Sequence, residues 1–140
     1  MNATLLYRAA SVLLVVFAAG HTYGFLNFRP ESLAGRALWE AMSTVQLQAG
    51  RGSFTYGRLY VGFGLYVSAY LLFTALLAWY LGALARNNPK AIGPLGWALF
   101  ALQLVSLVLS LIYFAPPPAI LSALVAACFG WASWMVQSKS

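Results

Sequence analysis

Residues 5–25 contain one charged side chain, Arg8, and three later stretches are as bare: 57–84 holds only Arg58, and 95–114 and 119–136 hold none. At 1.5 Å per helical residue these runs measure roughly 27 to 42 Å, against a hydrocarbon core about 30 Å thick. Such stretches cannot be left as loops or open strands in lipid, because no water is there to take unpaired backbone N–H and C=O groups. Composition agrees. The chain is 62% hydrophobic and only 7% charged, where a soluble domain carries roughly 25% charged residues. The expected fold is therefore all-α: a polytopic membrane protein, a four-transmembrane-helix bundle forming one integral membrane domain over residues 1–140.

Between the first two runs lies the longest polar segment, residues 27–55. Pro30 and Glu31 suit a helix start. Ala34, Ala37, Leu38, Ala41 and Val45 then recur at three- and four-residue spacing, with Arg36, Glu40 and Ser43 on the other face. This predicts a short amphipathic helix ending before Gly50, lying in the membrane interface with Trp39 as an anchor. The third and fourth runs are separated by "APPP", read as a turn because proline removes backbone donors.

The net charge of +6 comes from eight Lys and Arg scattered without a basic run. That pattern excludes a nucleic-acid partner and favours anionic lipid headgroups. Four spans put both termini on one side. Arg8, Arg86, Lys90 and Lys139 then face Arg29, Arg36, Arg51 and Arg58 across the membrane, a tie by count. The compact positive loop with Arg86 and Lys90 favours cytoplasmic N- and C-termini. One cysteine, Cys128, excludes an internal disulfide. With one histidine, one cysteine and two acidic residues, a three- or four-ligand metal site within one chain would need nearly all of them to converge and is nearly excluded, and a bis-histidine haem would need a second copy. No cofactor is expected.

Small residues at four-residue spacing point to close helix packing: Gly20 and Gly24 in "GHTYGF", Gly64 and Ser68 in the second run, and Ala119, Ala123, Ala127, Ala126 and Gly130 in the fourth. The second run also aligns Tyr56, Tyr60, Phe63, Val67, Tyr70 and Thr74 as a seam, either packed on a partner helix or forming an aromatic wall for a flat ligand. Gln103, Ser106, Ser110 and Tyr113 share one face of the third run, where Gln103 should turn inward to an interhelical hydrogen bond. His21 and Tyr23, Arg58 and Tyr60, and Ser110 and Tyr113 fall at one membrane level, with Arg36, Glu40 and Arg51 above. Together with Gln103 and Ser106 they form a candidate polar-headed ligand pocket, in which Glu40 or Arg58 is the expected partner of His21.

"GHTYGF" closing the first run and "GFGLYVSAYLLFTALLAWYL" in the second resemble the small bacterial four-helix membrane proteins of the DoxX-like kind and related families. The resemblance lies in the layout of nearly the whole chain. It implies a four-helix bundle in the bacterial cytoplasmic membrane and assigns no catalytic residue. The leading functional expectation is a protein that binds a lipophilic ligand, lipid or quinone, or serves as an accessory subunit, with a second copy or a larger membrane complex as partner. The alternative is an enzyme on a lipophilic substrate, drawing on His21, Glu31, Glu40 and tyrosines. A transporter ranks third, since runs two to four hold no ionisable group beyond their ends.

The topology is testable with compartment reporters. Fusions after Ser140 and within residues 87–92 are expected to report the same side, opposite to one at Gly50; agreement of all three overturns the four-span reading.

Overall fold

The computed structural model describes residues 2–49 and 52–138, so Arg51 of the candidate residues lies outside the described part. The elements run α1 (Ala3–Leu26), α2 (Leu33–Thr44), β1 (Gln46–Ala49), β2 (Gly52–Thr55), α3 (Tyr56–Asn87), α4 (Leu95–Tyr113) and α5 (Pro116–Gln137). Helices α1, α3, α4 and α5 are long and apolar enough to cross a membrane. The protein is all-α and membrane-embedded, with one small hairpin as the departure.

Local chemistry sets the boundaries. Asn2 Oδ1 accepts the Leu5 N–H at 2.9 Å and starts α1. Ser32 Oγ accepts the Gly35 N–H at 3.0 Å, so α2 begins behind this cap and not at Pro30 and Glu31. It ends at Thr44, earlier than its apolar spacing suggested. The next residues pair as antiparallel strands, with Leu47 opposite Phe54 and Gln46 opposite Thr55. Thr55 Oγ1 then takes the Arg58 N–H at 3.2 Å and opens α3.

The 3₁₀ turn Pro89–Ile92 leads into α4 through Gly93, whose φ of 51° lies in the left-handed region that glycine enters without a side-chain clash. The prolines of "APPP" do not form the turn expected of them. Pro116–Pro118 occupy the first turn of α5, where backbone N–H groups have no helical acceptor to lose. The chain turns instead at Phe114 and Ala115, both extended.

Two compact units emerge: Met1–Phe17 with Leu71–Ser140, and Ala18–Tyr70. The first draws on all four long helices, and its interior holds Tyr7, Leu14, Leu81, Val125 and Phe129. The Tyr7 hydroxyl lies 3.1 Å from Ser133 Oγ, and its ring centroid is 6.2 Å from that of Phe129. Ser11 donates to the Ala75 carbonyl at 2.7 Å, and the Arg8 guanidinium sits 4.9 Å from the Trp79 ring centroid. Small residues permit these approaches. A Cβ added at Gly82 would lie 3.3 Å from the Thr4 carbonyl oxygen, and one at Gly130 would lie 3.0 Å from the Phe100 ring.

The expected packing glycines of α1 are not the ones used. A Cβ at Gly20 or Gly24 meets nothing within 4 Å among the described residues. Ala123 and Ala127 of α5 are likewise exposed, while Ala119 and Ala126 are buried. Spacing fixes which residues share a helix face, but not which face meets a neighbour.

Gly96 supplies the contrast. A Cβ there would stand 2.5 Å from both Ser133 Oγ and the Tyr7 hydroxyl, on the hydrogen bond that joins α1 to α5. Gly96→Ala is expected to lower stability in detergent by about 1–3 kcal/mol through overpacking. Gly20→Ala is expected to be neutral or slightly stabilising, since alanine is the better helix former by up to about 1 kcal/mol. Thermal unfolding of the two variants checks the contrast, and a stable Gly96→Ala protein would refute the packing.

Candidate functional site

The second unit, Ala18–Tyr70, contains the end of α1, all of α2, the hairpin and the first half of α3. His21 projects from α1, and its Nε2 lies 3.2 Å from the Gly64 carbonyl oxygen of α3. A carbonyl can only accept, so the ring presents Nε2–H to it. The expected partners, Glu40 and Arg58, are replaced by a backbone group.

One helical turn on, the hydroxyls of Thr22 and Ser68 approach to 2.7 Å. Thr22 Oγ1 is also 2.7 Å from the Ala18 carbonyl, and Ser68 Oγ is 3.1 Å from the Gly64 carbonyl. Two hydroxyl protons cannot serve these three contacts at once. The His21 N–H resolves the shortage: it serves Gly64, Ser68 donates to Thr22, and Thr22 donates to Ala18. All three acceptors are then satisfied, as buried polar groups require.

Aromatic rings continue from this network toward the amphipathic helix. The His21 and Phe25 centroids are 5.2 Å apart. Phe25 meets Tyr60 edge-on at 6.3 Å, Tyr60 meets Trp39 at 5.6 Å, and Trp39 meets Phe28 at 5.9 Å. These are the separations and tilts that aromatic quadrupoles favour. Gly64 makes room for Phe25, whose ring would lie 2.7 Å from a Cβ added there. Gly57 likewise admits α2, with the Met42 carbonyl 3.2 Å from a Cβ position.

Beside Tyr60 along α3, residues Arg58, Leu59, Gly62, Phe63 and Tyr66 join Phe54 of β2 in lining a groove of about 440 Å³. Among the described residues Arg58 is its one charged side chain, and the rest of the lining is apolar or aromatic. The groove falls within the size range of small-molecule sites, about 300–1,000 Å³.

The predicted residues therefore divide. His21 and Tyr60 join through Phe25, and Arg58 heads the groove. Tyr23 and Glu40 are exposed, and neither lines the Arg58 groove. Gln103, Ser106, Ser110 and Tyr113 belong to the other unit. Of these, Gln103 is 0% exposed, yet neither amide atom has the expected hydrogen-bond partner among the described residues. Ser106 bonds back to the Leu102 carbonyl at 3.1 Å, Ser110 is buried, and Tyr113 is exposed.

The sequence reading missed Thr22, Phe25, Phe54, Leu59 and Tyr66. Phe25 and Thr22 had a signal, since each stands beside or one turn from His21. Nor does the aromatic seam form the buried face of α3. The seam divides along its length: Tyr56, Tyr60, Phe63 and Val67 are exposed, Tyr70 is half-buried, and Thr74 is buried beside Ser68, Leu71, Ala75, Ala78 and Leu81.

No family model, curated protein or solved structure matches the chain. The site is read from its own geometry.

The His21 bond has a simple test. A glutamine amide can place an N–H where Nε2–H stands, and a leucine cannot. His21→Leu is expected to cost about 0.6–1.7 kcal/mol, the range for hydrogen bonds between membrane helices, while His21→Gln recovers most of that loss. Chemical or thermal unfolding in one detergent reads both variants. Equal stability of His21→Leu and the parent would exclude the bond.

Proposed function

We propose that this is a binding protein of the bacterial cytoplasmic membrane that holds an amphiphilic anion, an anionic lipid, in the groove between β2 and the first turns of α3. One observation carries the reading: among the described residues, an otherwise apolar and aromatic groove is lined by one cation, Arg58. Leu59, Phe63 and Tyr66 offer apolar surface to an acyl chain, each buried CH₂ being worth about 0.8 kcal/mol. The guanidinium fork suits a phosphate or carboxylate head. Arg58 also stands in the first turn of α3, the end of a helix that favours negative charge.

A quinone, the other lipophilic ligand expected from the sequence, would use the aromatic wall but leave the guanidinium without a counter-charge. This favours the lipid. The resemblance of the sequence layout to DoxX-like proteins supports the bacterial setting, and the positive loop at Arg86 and Lys90 supports cytoplasmic termini. Catalysis ranks behind binding. His21 is committed to the Gly64 carbonyl, and Glu40 stands exposed on α2.

Mass spectrometry of the gently detergent-extracted protein tests the reading. The parent is expected to retain an anionic lipid. Counted lipid by lipid, Arg58→Gln is expected to lower the occupancy of one bound lipid about fivefold, the effect of one cation at an anionic interface, while Arg29→Gln retains the parental pattern. Retention of a neutral quinone, or of equal lipid by Arg58→Gln, would refute the assignment.

A further inference from the structure

A second cleft lies in the other unit, and it owes nothing to the Arg58 groove. It has a volume of about 330 Å³ and is built where the 3₁₀ turn, the start of α4 and the end of α5 meet, with Lys90, Ile92, Pro94, Trp97, Ser133 and Gln137 among its walls. Three features determine what it can hold.

The first is an oriented amide. Trp97 Nε1–H donates to Gln137 Oε1 at 3.2 Å. An indole nitrogen is only a donor, so the glutamine must turn its oxygen to the indole and keep both amide N–H groups for another acceptor. The second is a cation. Lys90 adds an exposed ammonium with three donors. The third is the absence of an internal counter-charge. The chain's two acidic side chains, Glu31 and Glu40, both lie within Ala18–Tyr70, so the unit containing Lys90 has cationic side chains and no acidic one. The cleft thus offers N–H donors and positive charge, with its glutamine acceptor already engaged. An anion rich in acceptors is its complement, and an ammonium serves phosphate as a point charge. Trp97 adds the amphipathic ring typical of the membrane–water interface.

We infer that the Lys90–Trp97–Gln137 cleft is a phosphate-binding site, filled by the headgroup of an anionic phospholipid or by free phosphate. The walls of Ile92, Pro94 and Val136 leave an apolar side on which glycerol and acyl carbons can lie. Gly93 lines the cleft, and its left-handed backbone turns the chain from the Lys90 segment into α4.

The test follows the Trp97 indole N–H by NMR in phosphatidylcholine nanodiscs, the resonance being identified by its loss in Trp97→Phe. Two probes are added separately: phosphatidylglycerol mixed into the bilayer, and inorganic phosphate in the buffer. A saturable shift with phosphatidylglycerol alone supports the site and assigns the lipid headgroup as its source. A saturable shift with inorganic phosphate supports it and assigns the free anion. Lys90→Gln is expected to weaken whichever response occurs by about fivefold. Arg86→Gln, which changes a nearby cation outside the cleft wall, is expected to leave it within twofold, roughly the scale of screened surface charge. A shift with neither probe overturns the inference, and so does equal weakening by Arg86→Gln. Both variants alter exposed side chains, and thermal unfolding confirms that each is folded before its titration is read.

Discussion

Backbone hydrogen bonding in a medium without water is the constraint on which this structure depends. Each amide left unpaired in hydrocarbon costs several kcal/mol, so the apolar runs close into helices and non-helical backbone is confined to their ends. Several hydroxyl side chains follow the same accounting, whereas the buried Gln103 amide and Ser122 Oγ have no hydrogen-bond partner among the described residues. Thr22 bonds the Ala18 carbonyl, Ser68 approaches that of Gly64, and Ser106 bonds that of Leu102, each reaching back one turn within its own helix. Other hydroxyls cross between helices, as Tyr7 does to Ser133 and Ser11 to the Ala75 carbonyl. Glycine is needed where these crossings are tight. Gly96 and Gly64 stand where a methyl group would strike a hydroxyl pair or a phenyl ring.

The spans were legible because length and the absence of charge act over whole segments. The charge-poor runs fall within a few residues of α1, α3, α4 and α5. The departures are local. "APPP" looks like a break until one counts which of its N–H groups a helix would use, and in a first turn it uses none. The hairpin was hidden because Leu47 and Phe54 are paired across strands too short to stand out beside a helical pattern. Gly20 and Gly24 carry the small-residue spacing, yet the close approach nearby is made at Gly64, with a ring opposite and no second glycine. Spacing cannot report what faces a small residue, since the answer lies on another helix.

The same limit applies to the site. His21 was singled out correctly as the chain's one histidine, but its partner was sought among side chains. The Gly64 carbonyl belongs to the backbone, and every residue carries one, so no residue type advertises it. Arg58 was legible as a cation at a span end. The groove it heads was not, because Phe54 comes from the unexpected strand. Gln103 shows the opposite error: burial was foreseeable from the cost of an amide in lipid, but burial did not bring a protein partner among the described residues.

What separates the two clefts chemically is the shape of their cations. Arg58 contributes a planar fork to the lining of an apolar groove, a shape suited to two parallel bonds to one phosphate or carboxylate. Lys90 presents a compact charge beside an amide already oriented by Trp97, so its directionality comes from Gln137. In a chain with two acidic residues among 140, internal ion pairing cannot neutralise eight Lys and Arg. The excess must be balanced from outside, and at a membrane surface the abundant balancing group is lipid phosphate. Charge scarcity therefore makes each exposed cation a point of contact with the surroundings, and the fold decides which of them acquires a cleft. Arg58 does so because β2 folds beside the start of α3. Lys90 does so because Gly93 turns the chain sharply enough to set it opposite the end of α5.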